Sequence, residues 1–425
     1  MPERRTTPLQ SGSHSTSPTR KRMEPRSGRR AREGYDMSES ADVVVIGAGV
    51  QGTSLAFHLA KRGASVVVVE RSSVAAGATG RSSGFVRMHY DVEAESRLAW
   101  VSLPWFRDWA GHVGEGSCDF VRTGFVQLVP PALADALRAN VAMHRRVGID
   151  TALVGPDEVA RLIPGVVVDD VEVAAYEPLS GYADPTATAS GFLAAARRAG
   201  ARYAGGARAH VVVQGDRVVA VETDAERIAT PVAVDAAGAW AAEVAASAGV
   251  EVPVETWRHD TAYFGLPAGR DGRFPIVIDQ AHEVYFRPEG RDLMLVGLES
   301  GNTIGGSPDR PQEELTSATL DAMVDAICAR LPWMEAGTLR TAHGGQDGIT
   351  PDQHALLGQA GPDGFYLDCG HSGTGFKTAP AVGLCLSELI LDGAARTVDI
   401  SAFAPDRFAT GRPIEPEHAY GPLWR

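Results

Sequence analysis

Residues 43–71 read VVVIGAGVQGTSLAFHLAKRGASVVVVER. Val43 to Ile46 is a short apolar run, glycines follow at 47, 49 and 52, residues 51–62 have helical spacing, and a second apolar run at 65–69 closes on Glu70. This is a strand, turn, helix, strand unit of about 30 residues. In such a unit Gly47 permits the tight turn, Gly49 lets the backbone approach a pyrophosphate, and Gly52 lets helix and strand pack closely. Amides at the helix start then face the phosphates. Glu70 stands where its carboxylate can accept hydrogen bonds from a ribose 2'-hydroxyl and would repel a 2'-phosphate. The lone glycine pattern is weak evidence, but its placement between strand and helix with an acid at this spacing predicts a dinucleotide site and disfavours NADP.

Residues 94–110 and 132–147 have helical spacing and flank a predicted strand at 124–129. Asp184-Pro185 precedes a helical run at 186–199. Residues 207–213, Gln214-Gly215-Asp216 and 218–223 read as strand, turn, strand. Residues 232–236 form another buried strand, ending in Ala237-Gly238-Ala239-Trp240. Alternating aromatic-rich segments around Tyr263, Tyr285 and Val296 predict antiparallel strands. A helix is expected at 316–330, a strand at 366–368 and a helix at 379–391. The expected fold class is α/β, with a Rossmann-like nucleotide domain interleaved with a substrate domain on an antiparallel or mixed sheet. The expected boundaries are 41–105, 182–252 and 335–403 for the first, 106–181 and 253–334 for the second, a disordered basic tail at 1–40 and a C-terminal tail at 404–425.

The chain has 425 residues, 44% of them hydrophobic, enough for a large core. Its net charge is -13; the first 36 residues carry +5, leaving the remainder near -18. An acidic body excludes a nucleic-acid footprint, which must be basic. Cys118, Cys328, Cys369 and Cys385 have neither disulfide-framework nor metal-ligand spacing, so no metal and a reducing, cytoplasmic location are expected. No run approaches the roughly 20 apolar residues of a membrane span. The pairs Arg4-Arg5 and Arg29-Arg30 lack the apolar stretch of an export signal.

FAD and NAD share this half-site. Residues 77–84, GATGRSSG, offer small side chains and backbone amides to a ligand that continues past the ADP, which favours FAD. Together with GATGRSSGFVRMHY (77–90), DAAGAW (235–240), and ITPDQHALLG (349–358) followed by GHSGTGFKTAPAVG (370–383), the opening stretch resembles the D-amino-acid oxidase-like FAD-dependent oxidoreductases, within them the sarcosine oxidase and dimethylglycine dehydrogenase group. The resemblance covers roughly residues 41–403. It implies a glutathione reductase-type FAD-binding domain beneath a sheet that roofs the substrate. By position it implies that Gly47, Gly49, Gly52, Glu70 and Arg71 hold the ADP half, and that Thr79, Arg81, Ser82 and Ser83 follow the pyrophosphate and ring. It places a backbone contact to adenine at Val211, and Gly373, Thr374, Gly375, Phe376 and Lys377 over the isoalloxazine. Trp240 is expected to pack against the cofactor domain.

The implied reaction is oxidation of the C–N bond of an amino acid or secondary amine: a hydride leaves the α carbon for flavin N5 and the imine is hydrolysed. Two cations are then expected to hold a substrate carboxylate. Only Lys21, Lys61 and Lys377 are lysine among 40 Lys/Arg, so a lysine after Gly373–Phe376 points to a site that wants a compact ammonium. Arg87 matches the family arginine that pairs with the carboxylate. His371 faces either the flavin or a backbone partner. His89, Tyr90, Tyr263, Tyr285 and Arg287 are further pocket candidates, and Asp352 is read as a turn stabiliser.

The departures from the family carry equal weight. Where covalently flavinylated members attach through cysteine this chain has Gly345, so FAD is expected to be non-covalent. No lysine lies between Lys61 and Lys377 to activate dioxygen, which favours a dehydrogenase, with oxygen or another acceptor as electron partner. The alternatives are a flavin subunit passing electrons to a partner, a non-catalytic FAD-binding sensor, and an aromatic hydroxylase.

Overall fold

The structure, a computed structural model, describes residues 39–309 and 314–421. The basic segment expected to be disordered lies outside them, except for Glu39–Ser40. These two residues form a strand parallel to Ile228–Ala229 and belong to the folded body, not to a tail.

Strand Val43–Ile46 is buried at all four positions. It pairs in parallel with Val66–Glu70 on one side and Ala233–Asp235 on the other. Arg202–Gly205 and Phe365–Cys369 extend the sheet in parallel, and antiparallel Leu356–Gln359 closes its edge. Helices cover both faces of such a sheet, so its strands read as unbroken Val/Ile runs rather than alternating ones. Helix Val50–Lys61 is buried along nearly its whole length because helices Pro185–Arg198 and Gly375–Asp392 flank it. The second crossing is close: a Cβ at Gly383 would lie 2.8 Å from the Leu55 amide nitrogen.

A second sheet of eight strands runs Thr338–Ile349, Glu255–Gly265, Leu293–Leu298, Val284–Glu289, Ile276–Asp279, Phe125–Leu128, Ala174–Glu177, Ala152–Val154. All its neighbours are antiparallel except Ile276–Asp279 beside Phe125–Leu128. Its outer core packs Phe286, Val296, Met323 and Ile327 under helix Ser317–Arg330. The expected α/β class, with a parallel cofactor-type sheet and a mixed sheet built from interleaved segments, is the observed fold.

Two helices depart from the pattern reading. The run at 94–110 is two helices, Glu93–Arg107 and Trp109–His112, because the Asp108 carboxylate accepts the Gly111 amide and restarts the turn. The last helix begins at Gly375, four residues early, so Phe376 and Lys377 stand on its first turn and not on a loop. Two glycines and Pro380 had masked its start. Residues 404–421 are anchored: Arg407 pairs with Asp352 at 2.7 Å, and Tyr420 is buried with its hydroxyl 2.8 Å from His89 Nε2.

Candidate functional site

Between the two sheets lies a cleft of about 500 Å3. Its floor begins at the glycine turn. Gly47 has φ +113°, and a Cβ there would sit 2.4 Å from Ala236 O; a Cβ at Gly52 would sit 2.1 Å from Gly47 O. Gly52 thus serves close packing and does not line the cleft, whereas Gly47 and Gly49 do. Thr79 Oγ1 accepts the Val50 amide at 3.0 Å, so Thr79 caps the helix as well as lining the cleft. Glu70 lines the cleft too, and its two oxygens accept the Ala48 and Ser72 amides at 2.8 Å each, tying the acid to the glycine turn.

Beyond Glu70, Arg71 lies over the Trp240 ring at 4.7 Å and pairs with Asp309 at 2.6 Å. Trp240 Nε1 donates to the same aspartate at 2.9 Å. The bonds from Trp240 and Arg71 lower the Asp309 carboxyl to about 2. Arg81, Ser82 and Ser83 continue the lining. Val211 does not reach it: this residue is buried in the four-stranded sheet, with its amide given to Ser247 Oγ at 2.9 Å. Ala207, Arg208 and Ala209, two to four residues earlier, line the cleft instead.

At the other end, Gly373, Gly375, Phe376 and Lys377 line the cleft, while Thr374 is buried behind them as the residue before the helix. Lys377 Nζ donates to Gly373 O at 3.0 Å. Burial holds its ammonium well below the usual lysine range, and Arg87 adds to the effect. His371 is held by side chains: Nε2 is 3.0 Å from Asp368 Oδ1 and Nδ1 3.4 Å from Gln51 Nε2. Gln51 also donates to Gly375 O at 2.8 Å, so a side chain from the glycine motif fastens the C-terminal motif 324 residues away.

Arg87 is buried and is not a surface ion pair. It donates to His89 O and lies 4.3 Å from the Tyr90 ring centroid, and it lines the cleft. His89, His144 and Glu177 form a buried cluster whose ligand-type atoms lie within 4.8 Å of one another. Burial, then His144 and Arg87, lower His89 well below its ordinary value; burial lowers His144 to about 4, with Arg87 adding to it and the bond to Tyr90 O opposing it. Of the further pocket candidates only Tyr285 lines the cleft; His89, Tyr90, Tyr263 and Arg287 do not. Arg287 instead donates to Ser83 O at 2.6 Å, bracing the segment beside the cleft.

The roofing sheet was expected, but of its lining residues the sequence reading singled out only Tyr285 as a pocket candidate. Trp257, His259, Thr261, Glu299 and Asp347 line the cleft from strands or their ends. Trp257 Nε1 and His259 Nε2 have no hydrogen-bond partner among the described residues, so the roof presents unsatisfied nitrogens to whatever fills the cleft. Asp347 accepts the Gly348 and Gly373 amides at 2.8 Å each, locking the roof to the C-terminal motif. A tight glycine turn at one end, orphan polar atoms in the roof and two cations at the far end fit an elongated dinucleotide with a small anion beyond it.

Residues 42–389 match the DAO family model, described as FAD dependent oxidoreductase. Among known proteins, FAD-dependent oxidoreductase domain-containing protein 1 of Xenopus laevis is 27% identical, over 88% of this chain and 84% of that protein. Mitochondrial sarcosine dehydrogenase of Mus musculus is 30% identical over 84% of this chain, which spans 40% of that longer protein. Among solved structures, L-proline dehydrogenase from P. horikoshii superposes with a TM-score of 0.82 at 26% identity, over 89% of this chain and 100% of that one. No helix among the described residues is long and apolar enough to cross a membrane.

Proposed function

This chain belongs to the FAD dependent oxidoreductase (DAO) family, and from that premise we propose that it is an amine dehydrogenase, oxidising the C–N bond of an amino acid or N-substituted amine to an imine that water hydrolyses. One observation carries the reading. Arg87 and Lys377, 290 positions apart in sequence, line the same cleft as the glycine turn.

Gly47, Gly49, Glu70 and Arg71 would hold the ADP half of FAD, and Thr79 to Ser83 with Gly373 to Lys377 the remainder. Bound there, FAD supplies the acceptor for the substrate's hydride. Arg87 and Lys377 take the substrate carboxylate, and His371 positions the C-terminal motif through Asp368 and Gln51. We read the parallel sheet and its helices as the cofactor domain and the eight-stranded sheet as the substrate domain. Attachment is non-covalent in this reading: no cysteine lines the cleft among the described residues, and a Cβ at Gly345 would lie 2.8 Å from Arg81 Cβ. The roof offers His259 and no lysine, which supports an acceptor other than oxygen. Four cysteines without disulfide partners support a cytosolic setting.

The test is anaerobic addition of N-methyl amino acids, opines and cyclic imino acids to the yellow protein. Bleaching by one of them is expected, followed by faster reoxidation with a dye than with air. Bleaching by NAD(P)H alone overturns the reading in favour of a hydroxylase.

A further inference from the structure

Glu299 immediately follows strand Leu293–Leu298 and lines the cleft together with Arg87, Tyr285 and Asn302. The neighbouring Gly297 is required here: a Cβ on it would lie 2.1 Å from the Tyr285 ring, which lies across that position. The glycine therefore lets Tyr285 fold over the strand end, beside Glu299. A carboxylate in this place is unexpected in a site that binds only a carboxylate, because Lys377 and Arg87 already suit that anion. It is expected if the ligand is a zwitterion. A charged amine entering beside two cations would be repelled, and one acidic side chain removes that conflict.

We propose that Glu299 receives the ammonium of the substrate and takes its proton. This rests on the amine-oxidation reading and narrows it to substrates whose nitrogen arrives charged. The step balances as R2NH2+ plus carboxylate giving R2NH plus carboxylic acid. The nitrogen lone pair so freed closes the C=N bond as the α C–H electron pair leaves for the oxidant. The surroundings suit an acceptor. Burial raises the Glu299 carboxyl to about 8; Arg87 draws it down, and Asp279 and Glu283 push it up. Tyr285, itself pushed to about 12 by burial and then by Glu299 and Asp260, stays neutral, as does His259, which burial lowers. An acid of this strength lies within reach of an aliphatic ammonium, about 10.4 for a lysine side chain, whereas an ordinary glutamate does not.

The test uses two probes of the same shape, sarcosine with its NH2+ and methoxyacetate with an ether oxygen in its place. Their dissociation constants are read anaerobically on the holoprotein from flavin absorbance; for sarcosine this is the fast perturbation preceding any bleaching. Between pH 7 and 9, as Glu299 ionises, the ratio favouring sarcosine should rise about tenfold. Deprotonation of Lys377 weakens both probes alike and cancels in the ratio. In Glu299→Gln, checked for retained yellow colour, the ratio should be independent of pH; should that variant lose FAD, the wild-type ratio alone decides. A wild-type ratio that ignores pH, or a pH-dependent one that persists in Glu299→Gln, overturns the assignment of Glu299. Failure of every N-substituted amino acid to bleach the flavin is a different result and overturns the amine reading beneath it.

Discussion

The wall formed by residues 47–84 lines the cleft mostly with Gly, Ala, Ser and Thr, so that backbone lies close to whatever fills it, whereas the eight-stranded roof and its strand ends contribute larger side chains: Trp257, His259, Tyr285 and Glu299. The first wall is local, its parts lying within 40 positions in sequence. The second is assembled from strand ends scattered over residues 257 to 347. A backbone wall suits what dinucleotides share, the phosphates and ribose. A side-chain wall can change its selectivity by single substitutions without disturbing the fold.

If that contrast is right, the backbone wall should be the less tolerant of added atoms. Gly52→Val should cost roughly 3 kcal/mol or more, because its Cβ would overlap Gly47 O and neither backbone can retreat. The protein should purify colourless or melt well below the wild type; a yellow protein of normal melting temperature would break the comparison. Lys377→Met should keep folding and colour but lower kcat/KM for an amino acid about ten to two hundredfold, the worth of one charge-assisted hydrogen bond of roughly 1.5 to 3 kcal/mol. Because burial and Arg87 lower the Lys377 ammonium, wild-type KM should also climb as pH rises and that proton is lost. The same amine without a carboxylate should show neither effect.

Glu70→Gln should weaken FAD by only about 1 kcal/mol, some fivefold in Kd, since an amide oxygen still accepts one of the two amides now shared by the carboxylate. An unchanged Kd, measured by flavin fluorescence on reconstituting the apoprotein, would remove the acid from the ribose. Smallest of all, Val211→Ala should change FAD affinity less than about twofold while costing about 1 kcal/mol of stability from lost packing. A larger loss of affinity would put Val211 against the cofactor after all.

The sequence alone determined the strand, glycine turn, helix, strand unit, with Gly47 at the turn and Gly52 where close packing leaves no room for a side chain. Spacing and residue type within one strand, turn and helix are enough for this, although the room left at Gly47 is also set by Ala236, 189 residues on. Most of the positions carried over by resemblance line the cleft, and so do Arg87 and Lys377. Val211 does not line the cleft because it lies two residues beyond the segment that does, inside the four-stranded sheet and with its amide bonded to Ser247. His89 and Tyr90, adjacent to Arg87 in sequence, were drawn into the buried cluster behind it rather than into the pocket. Only the tertiary structure could bring forward Gln51, Asp347 and Glu299. Gln51 looked like a variable letter in the glycine motif until the turn before the last helix and that helix's first residue supplied its partners 320 and 324 residues away. Glu299 looked like any charged residue at a strand end. Its character comes from burial and from Arg87, Asp279 and Glu283, none of which is near it by spacing that a sequence pattern can read. Local geometry is written in neighbouring residues; the electrostatics of a pocket arises from whichever distant groups the fold gathers around it.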